Sequence, residues 1–249
     1  MQGHFKISAQ KSPAGQIYSG ERPPFESFKI PEFINRFCQE VLSNTADRYF
    51  PVGQALLFGG AILDQKLGIK PKDYDIYLSC PALVETAGKI LNDQDRRHAA
   101  AESMMDIVGD IFPLDLHDES ISFDPIRTDL GKCLGVQGTY FSKGETHHID
   151  ITVGNALKTP EEFSRRSAAP ILSCVASLHP GETEYAYHQD FEEHLNARVI
   201  CTDDSRRKYF QKKADRKNLR LMTQDEWSAY KTVAFQAKPA PVRAPGPEL

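Results

Sequence analysis

The sequence predicts an α+β fold, a mixed β-sheet flanked by helices with a helical extension toward the C-terminal end. Three observations predict it. The stretches "DYDIYLSC" and "THHIDITVG" alternate apolar with polar residues at the period of two that a strand with one buried face requires. The stretch "PEFINRFCQEVLSNTA" instead repeats Phe33, Ile34, Phe37, Val41 and Leu42 at helical spacing. Finally, 249 residues support one large domain or two small ones, with a core that needs no metal or disulfide staple.

Taken in order, residues 1–30 mix Gly, Pro and Ser with scattered hydrophobes and read as an extended arm whose Tyr18, Phe25 or Phe28 docks on the body. Pro31 suits the first turn of the helix that follows. "QALLFGG" reads as a buried strand ending at Gly59-Gly60, and "AILDQKLG" as a short helix stopped by Gly68. In the next strand Tyr74, Ile76 and Leu78 alternate with Asp73, Asp75 and Tyr77. "PALVETAGKILND" predicts a helix opening at Pro81, and "AAAESMMDIVGDIF" a helix or a buried packing element. Residues 113–129 are acidic and turn-rich, which predicts an excursion. "KCLGVQGTYFS" and "THHIDITVG" form a hairpin through Lys143-Gly144-Glu145, with Gly144 left-handed. "APILSCVASL" is strand or buried helix, and "DFEEHLNARVI" is helical. From Ser205 a basic helix precedes a mixed-charge helix or turn with Trp227, and a proline-rich tail closes the chain. The expected organisation is an arm over 1–30, a body over 31–204, a basic helical extension over 205–235 and a flexible tail over 236–249.

The five cysteines, Cys38, Cys80, Cys133, Cys174 and Cys201, are widely spaced and form no zinc or iron-sulfur motif, so the expectation is a reducing compartment. No secretory signal and no run of about 20 apolar residues is present, which predicts a soluble, cytoplasmic protein with no membrane partner. A formal charge of −4 argues against a uniformly basic nucleic-acid-binding surface but leaves room for a local one.

The acidic strand carries the chemistry. On an extended chain Asp73 and Asp75 emerge on one face, roughly 6 to 7 Å apart. In "HHIDITVG", Asp150 and Thr152 face away from Ile149, Ile151 and Val153, so Asp150 supplies a third carboxylate. Three such groups repel one another unless cations compensate them. Hard oxygen donors suit magnesium, or manganese in its place, with a nucleoside triphosphate (NTP) as the phosphate-bearing substrate. The competing reading is that Asp73 and Asp75 line the wet face of an edge strand. Gly59 and Gly60 let the backbone approach a phosphate or simply make a tight turn. Lys66, Lys70 and Lys72 nearby bind phosphate or keep the surface soluble.

These residues resemble the catalytic head of the DNA polymerase beta-like nucleotidyltransferase superfamily, in its class II branch of bacterial poly(A) polymerases and CCA-adding enzymes. The resemblance implies that Gly59 and Gly60 cradle the triphosphate, that Asp73 and Asp75 bind the metals, and that Asp150 completes the site on the attacking side. The family helix carries an arginine beside its aspartate; here Leu63 and Asp64 stand at those positions, so only the aspartate, a possible auxiliary group, is kept. "GIKPKDYDIYL" matches the expected glycine, proline and acidic positions. In "EFSRRSAAPILSC", Arg165 and Arg166 match an arginine-arginine-aspartate stretch and are assigned to phosphate, with Ser167 in place of the acid. "YHQDFEEHLNARVI" adds Asp190, Leu195, Arg198 and Ile200. The chain after Ile200 is shorter than the neck, body and tail of those polymerases, which leads to the expectation of a small transferase modifying one acceptor.

In "SRRKYFQKKADRKNLR" eight basic residues stand against one acidic residue, and Lys208, Lys212, Arg216 and Arg220 recur every fourth position, broadened by Arg207, Lys213 and Lys217. Such a stripe holds an RNA backbone, with Tyr209 or Phe210 stacking on a base, or binds the triphosphate, or is an ordinary solvated face. His148 shares the side of Asp150 and is a possible auxiliary group, although a structural histidine is the commoner outcome. The functional expectation is nucleotidyl transfer from an NTP to an acceptor hydroxyl, RNA or tRNA favoured. A protein or small-molecule acceptor, and a non-catalytic nucleotide- or RNA-binding module, are the alternatives.

Overall fold

The computed structural model describes residues 15–43, 49–91, 97–124, 131–178 and 183–236. The start of the predicted arm, the end of the predicted first helix, the end of the acidic stretch and the tail from 237 lie outside the described residues.

The strands of the main sheet are β1 (Ile17–Gly20), β2 (Gln54–Phe58), β3 (Tyr74–Ser79), β4 (Asp115–Asp124), β5 (Cys133–Ser142), β6 (Glu145–Gly154), β7 (Val175–Ser177) and β8 (Tyr185–His188). They lie in the order β1-β8-β7-β2-β3-β6-β5-β4. Neighbours run antiparallel except β3 and β6, which are parallel. Helices α1 (Glu32–Ser43), α3 (Pro81–Leu91) and α4 (Arg97–Ile111) bury Ile34, Phe37, Leu83, Val84, Met104 and Val108 in one core with Leu57, Ile76, Leu78, Ile149, Ile151 and Val153. The α+β architecture expected from the alternating strands and periodic helices is the one observed. Among the described residues the opposite face bears a small apolar cluster of Leu56, Tyr77, Phe163 and Val175, with Phe58 packed against it. That asymmetry leaves part of the second face for polar groups.

The arm does dock: β1 adds to the sheet edge against β8, and Phe28 is buried. The β5–β6 hairpin turns at Lys143 (φ 51°) and Gly144 (φ 83°), two left-handed residues as a two-residue turn of the primed type needs. "APILSCVASL" resolves into both predicted alternatives, a 3-10 turn at Pro170–Leu172 followed by β7.

The acidic stretch is not an excursion over its described part but β4, the edge strand paired with β5. Its register shifts between Leu116 and Ile121, and the Ser120 hydroxyl accepts the His117 N–H across the irregularity at 2.7 Å. The bulge puts an odd interval between Leu116 and Ile121, which erases the period of two that would mark a strand.

Beyond β8 come α6 (Phe191–Ala197), β9 (Val199–Cys201), α7 (Arg207–Lys217), β10 (Arg220–Met222) and α8 (Gln224–Gln236), with the helices α2 (Gly60–Lys66) and α5 (Pro160–Ser164) nearer the sheet. The predicted helix "DFEEHLNARVI" thus ends at Ala197, where Arg198 turns left-handed (φ 55°), and its last residues form β9 beside β10. Phe210, Ala214 and Leu219 enter the main core. All five cysteines are buried and none is in a disulfide. No helix among the described residues is long and apolar enough to cross a membrane.

His194 lies buried on α6, edge-on to Trp227 with ring centroids 4.6 Å apart. Burial pushes its imidazole down to about 4, against the opposing pull of Asp190. The unfolded chain therefore binds the extra proton first, so this contribution is complete above about pH 6.5 and is lost as pH falls toward 4, costing up to about 3 kcal/mol. His194→Phe should flatten that acid limb, read as the difference in urea midpoint between pH 7.5 and pH 4.5.

Candidate active site

Asp75 and Asp150 are register partners on the parallel strands β3 and β6. Their neighbours Ile76, Ile149 and Ile151 all enter the main core. Both carboxylates therefore emerge on the other face, from strands roughly 4.8 Å apart. Asp73 immediately precedes β3, two positions before Asp75. β3 lies between β2 and β6 in the middle of the sheet, so the edge-strand reading of the aspartates does not hold.

The electrostatics record this crowding. Burial, then Asp73, then Asp150 push the Asp75 carboxyl up to about 7, while Lys213 and the Gly60 N–H donated to it pull the other way. Burial and Asp73 also raise Asp150, opposed by Lys72, His148 and a hydrogen bond from the Gln137 side chain. Gln137 is the register partner of Asp150 on β5.

The glycine turn closes over Asp75. Gly59 adopts φ 82° and ψ −151°, a region open essentially to glycine alone, and any Cβ there would collide with Asp75 Oδ2. Gly59→Ala is therefore expected to destabilise the protein by about 1–3 kcal/mol. A chemical-denaturation midpoint unchanged from wild type would contradict this account of the turn.

The remaining predicted residues divide. Lys72 is exposed, with its ammonium 3.9 Å from Asp73. His148 flanks Asp150, whereas His147 stacks on Phe33 at 3.6 Å from the opposite face. Arg166 acts on the Tyr77 hydroxyl, on the aspartates' side of the sheet, while Arg165 is exposed and paired with Glu161. Lys66 sits at the far end of α2 from the glycine turn, over the Phe25 ring at 5.0 Å. Asp64 is buried and held by Arg216 and Lys217, so its carboxylate ties α2 to α7.

The basic stripe is also shorter than its spacing suggested. α7 stops at Lys217 because Asn218 turns left-handed (φ 50°), and Arg220 falls on β10, its guanidinium 4.9 Å from the Tyr230 ring centre. Arg207 pairs with Asp204 and Glu226. Lys208, Lys212 and Tyr209 remain on the exposed side. Sequence reasoning missed Gln137 and counted Lys213 and Lys217 only as residues that broaden the basic stripe; the signal that sets these two apart is their place beside Phe210 and Ala214 on one helical face.

Among the described residues no group of three or more His, Cys, Asp or Glu side chains is gathered so as to hold a metal ion by itself. The donor set still fits magnesium, which binds through one or two carboxylates, keeps several waters and shares phosphate oxygens with its substrate. The upward pressure on Asp75 and Asp150 is what a bound cation would relieve.

No family model and no curated protein matches the chain. Among solved structures, the chain is similar to a tRNA-processing enzyme in its apo form, with 16% identity and a TM-score of 0.45 over 84% of this chain and 49% of that one. It is also similar to a CCA-adding enzyme in complex with CTP, with 17% identity and a TM-score of 0.46 over 83% of this chain and 44% of that one. A third similarity is to the Thermotoga maritima CCA-adding enzyme complexed with tRNA, with 18% identity and a TM-score of 0.44 over 83% of this chain and 43% of that one. The chain spans less than half the length of each of these three proteins.

Proposed function

We propose that this protein is a metal-dependent nucleotidyltransferase that moves a nucleoside monophosphate from an NTP to an acceptor hydroxyl. The observation that carries the reading is the pairing of Asp75 with Asp150 on adjacent parallel strands, with Asp73 close enough to act on both, under the Gly59–Gly60 turn. Asp73 and Asp75 would hold magnesium or manganese, with Asp150 completing the set. The metal, when bound, supplies positive charge for the triphosphate oxygens and acidifies the acceptor hydroxyl.

The chain's own groups do the rest. Gly59 has no side chain, so a triphosphate can approach the turn closely. Asp150, its carboxyl raised above the ordinary range, takes the proton of the acceptor hydroxyl as that oxygen bonds to the α-phosphorus. Gln137 holds the Asp150 carboxylate by a hydrogen bond. The bond from the α-phosphorus to the bridging oxygen breaks, and pyrophosphate leaves with that electron pair. Arg166, near the Tyr77 hydroxyl, and Lys72, beside Asp73, would receive negative charge from the phosphates.

RNA is the favoured acceptor, because Lys208, Lys212 and the exposed ring of Tyr209 offer a phosphate-binding and base-stacking surface on α7. The full chain should be incubated with each of four α-labelled NTPs, total RNA and total protein, with magnesium or with a chelator. Magnesium-dependent label that nuclease removes supports the reading in full. Label removed only by protease replaces the acceptor with a protein, and nucleotide binding without incorporation replaces the enzyme with a binding module.

A further inference from the structure

The α7 helix presents its cations unequally. Lys217 and Arg216 are taken by Asp64, and Arg207 by Asp204 and Glu226. Lys213 has no carboxylate partner among the described residues; its ammonium lies 5.3 Å from the centre of the Tyr209 ring. It sits one turn before Lys217, roughly 6 Å along the same flank of the helix. Lys217 in turn reaches the glycine turn, where a Cβ on Gly60 would stand 3.7 Å from its Nζ. Phe210 and Ala214, buried on the adjoining stripe, fix the helix against the core. Lys213 thus stands on the helix flank that meets the glycine turn, near enough for its charge to be felt at Asp75.

We propose that Lys213 is the side chain that receives the pyrophosphate end of the bound nucleotide, making α7 part of the substrate site and not only a surface for the acceptor. The inference rests on the transferase reading and adds a residue to it. An ammonium that is half-exposed, held on a fixed helix and unspent on a carboxylate is free to trade water for phosphate oxygens. Lys217 cannot play this part, because it is buried against Asp64. Lys208 and Lys212 are exposed on the outer side.

The test uses the full chain with magnesium, inorganic pyrophosphate as the probe, and the variants Lys213→Gln, Lys213→Arg and Lys89→Gln. Lys89 is an exposed residue of α3 paired with Glu85, so its variant controls for the loss of one surface charge. Calorimetry should show pyrophosphate affinity falling by about tenfold or more in Lys213→Gln, largely restored in Lys213→Arg and unchanged in Lys89→Gln. In the incorporation assay the NTP KM should rise by a similar factor with kcat changed less, at a melting temperature near that of wild type. A wild type that incorporates nucleotide, together with a Lys213→Gln protein of unaltered KM and pyrophosphate affinity, overturns the assignment and leaves the transferase reading standing. Lys213-dependent pyrophosphate binding without any incorporation upholds the assignment and removes the transferase reading. A wild type that neither binds pyrophosphate nor incorporates nucleotide removes both.

Discussion

Replacing Asp75 by asparagine is expected to lower nucleotide incorporation by on the order of 10³-fold while making the metal-free protein more stable at pH 8. The two effects share one cause. The native carboxyl is pushed up to about 7 from 3.8, so between those values the folded protein holds a proton that the unfolded chain has released. This group's contribution to stability therefore falls as pH rises through this window, and the whole deficit, at most about 4 kcal/mol, is present above pH 7. Water reaching the partly buried side chain reduces it. An amide is never ionised, so Asp75→Asn should lose this fall, keep the opposite slope set by His194, and show a higher urea midpoint than wild type at pH 8. Saturating magnesium should narrow the gap by stabilising only the wild type. A variant that is both fully active and no more stable would remove Asp75 from the site and discard the account of its environment.

The second large effect is structural. Asp64→Ala leaves the Lys217 ammonium buried without its carboxylate, a defect that costs about 3–5 kcal/mol. For a chain of this size that lowers the melting temperature by about 10 °C. The paired replacement Asp64→Leu with Lys217→Met removes both charges and should recover most of the loss, since a buried ion pair is seldom more stabilising than apolar side chains of like volume. Arg216, partly exposed, keeps access to water when Asp64 is gone. If the double variant is as unstable as the single one, the contact between α2 and α7 depends on something other than charge balance.

Much of this arrangement is legible in the sequence. The period of two in "DYDIYLSC" and "THHIDITVG" placed Asp75 and Asp150 opposite the apolar residues of their strands, and the pairing of β3 with β6 brings them to one face. Burial imposes that phase, since a slip of one residue would put Ile76 or Ile151 into water. β4 was illegible because its bulge breaks the same period. The spacing of Lys208, Lys212, Arg216 and Arg220 described an unbroken helix, yet Asn218 ends it; an asparagine after a basic last turn is a stop signal that spacing alone overlooks. The partner of Arg216 and Lys217, Asp64 on α2, lay beyond reach for a different reason. Nothing local to α7 says that it folds back on α2.

The parallel pairing of β3 with β6 also dictates when the site can exist. Strands that run the same way cannot be joined by a hairpin, so the chain completes α3, α4, β4 and β5 before β6 lies down beside β3. Long loops of this kind close late, and sheets built on them assemble slowly. A ribosome-bound or half-refolded chain therefore exposes Asp75 with no Asp150 to oppose it, and the paired carboxylates come together only in the finished molecule.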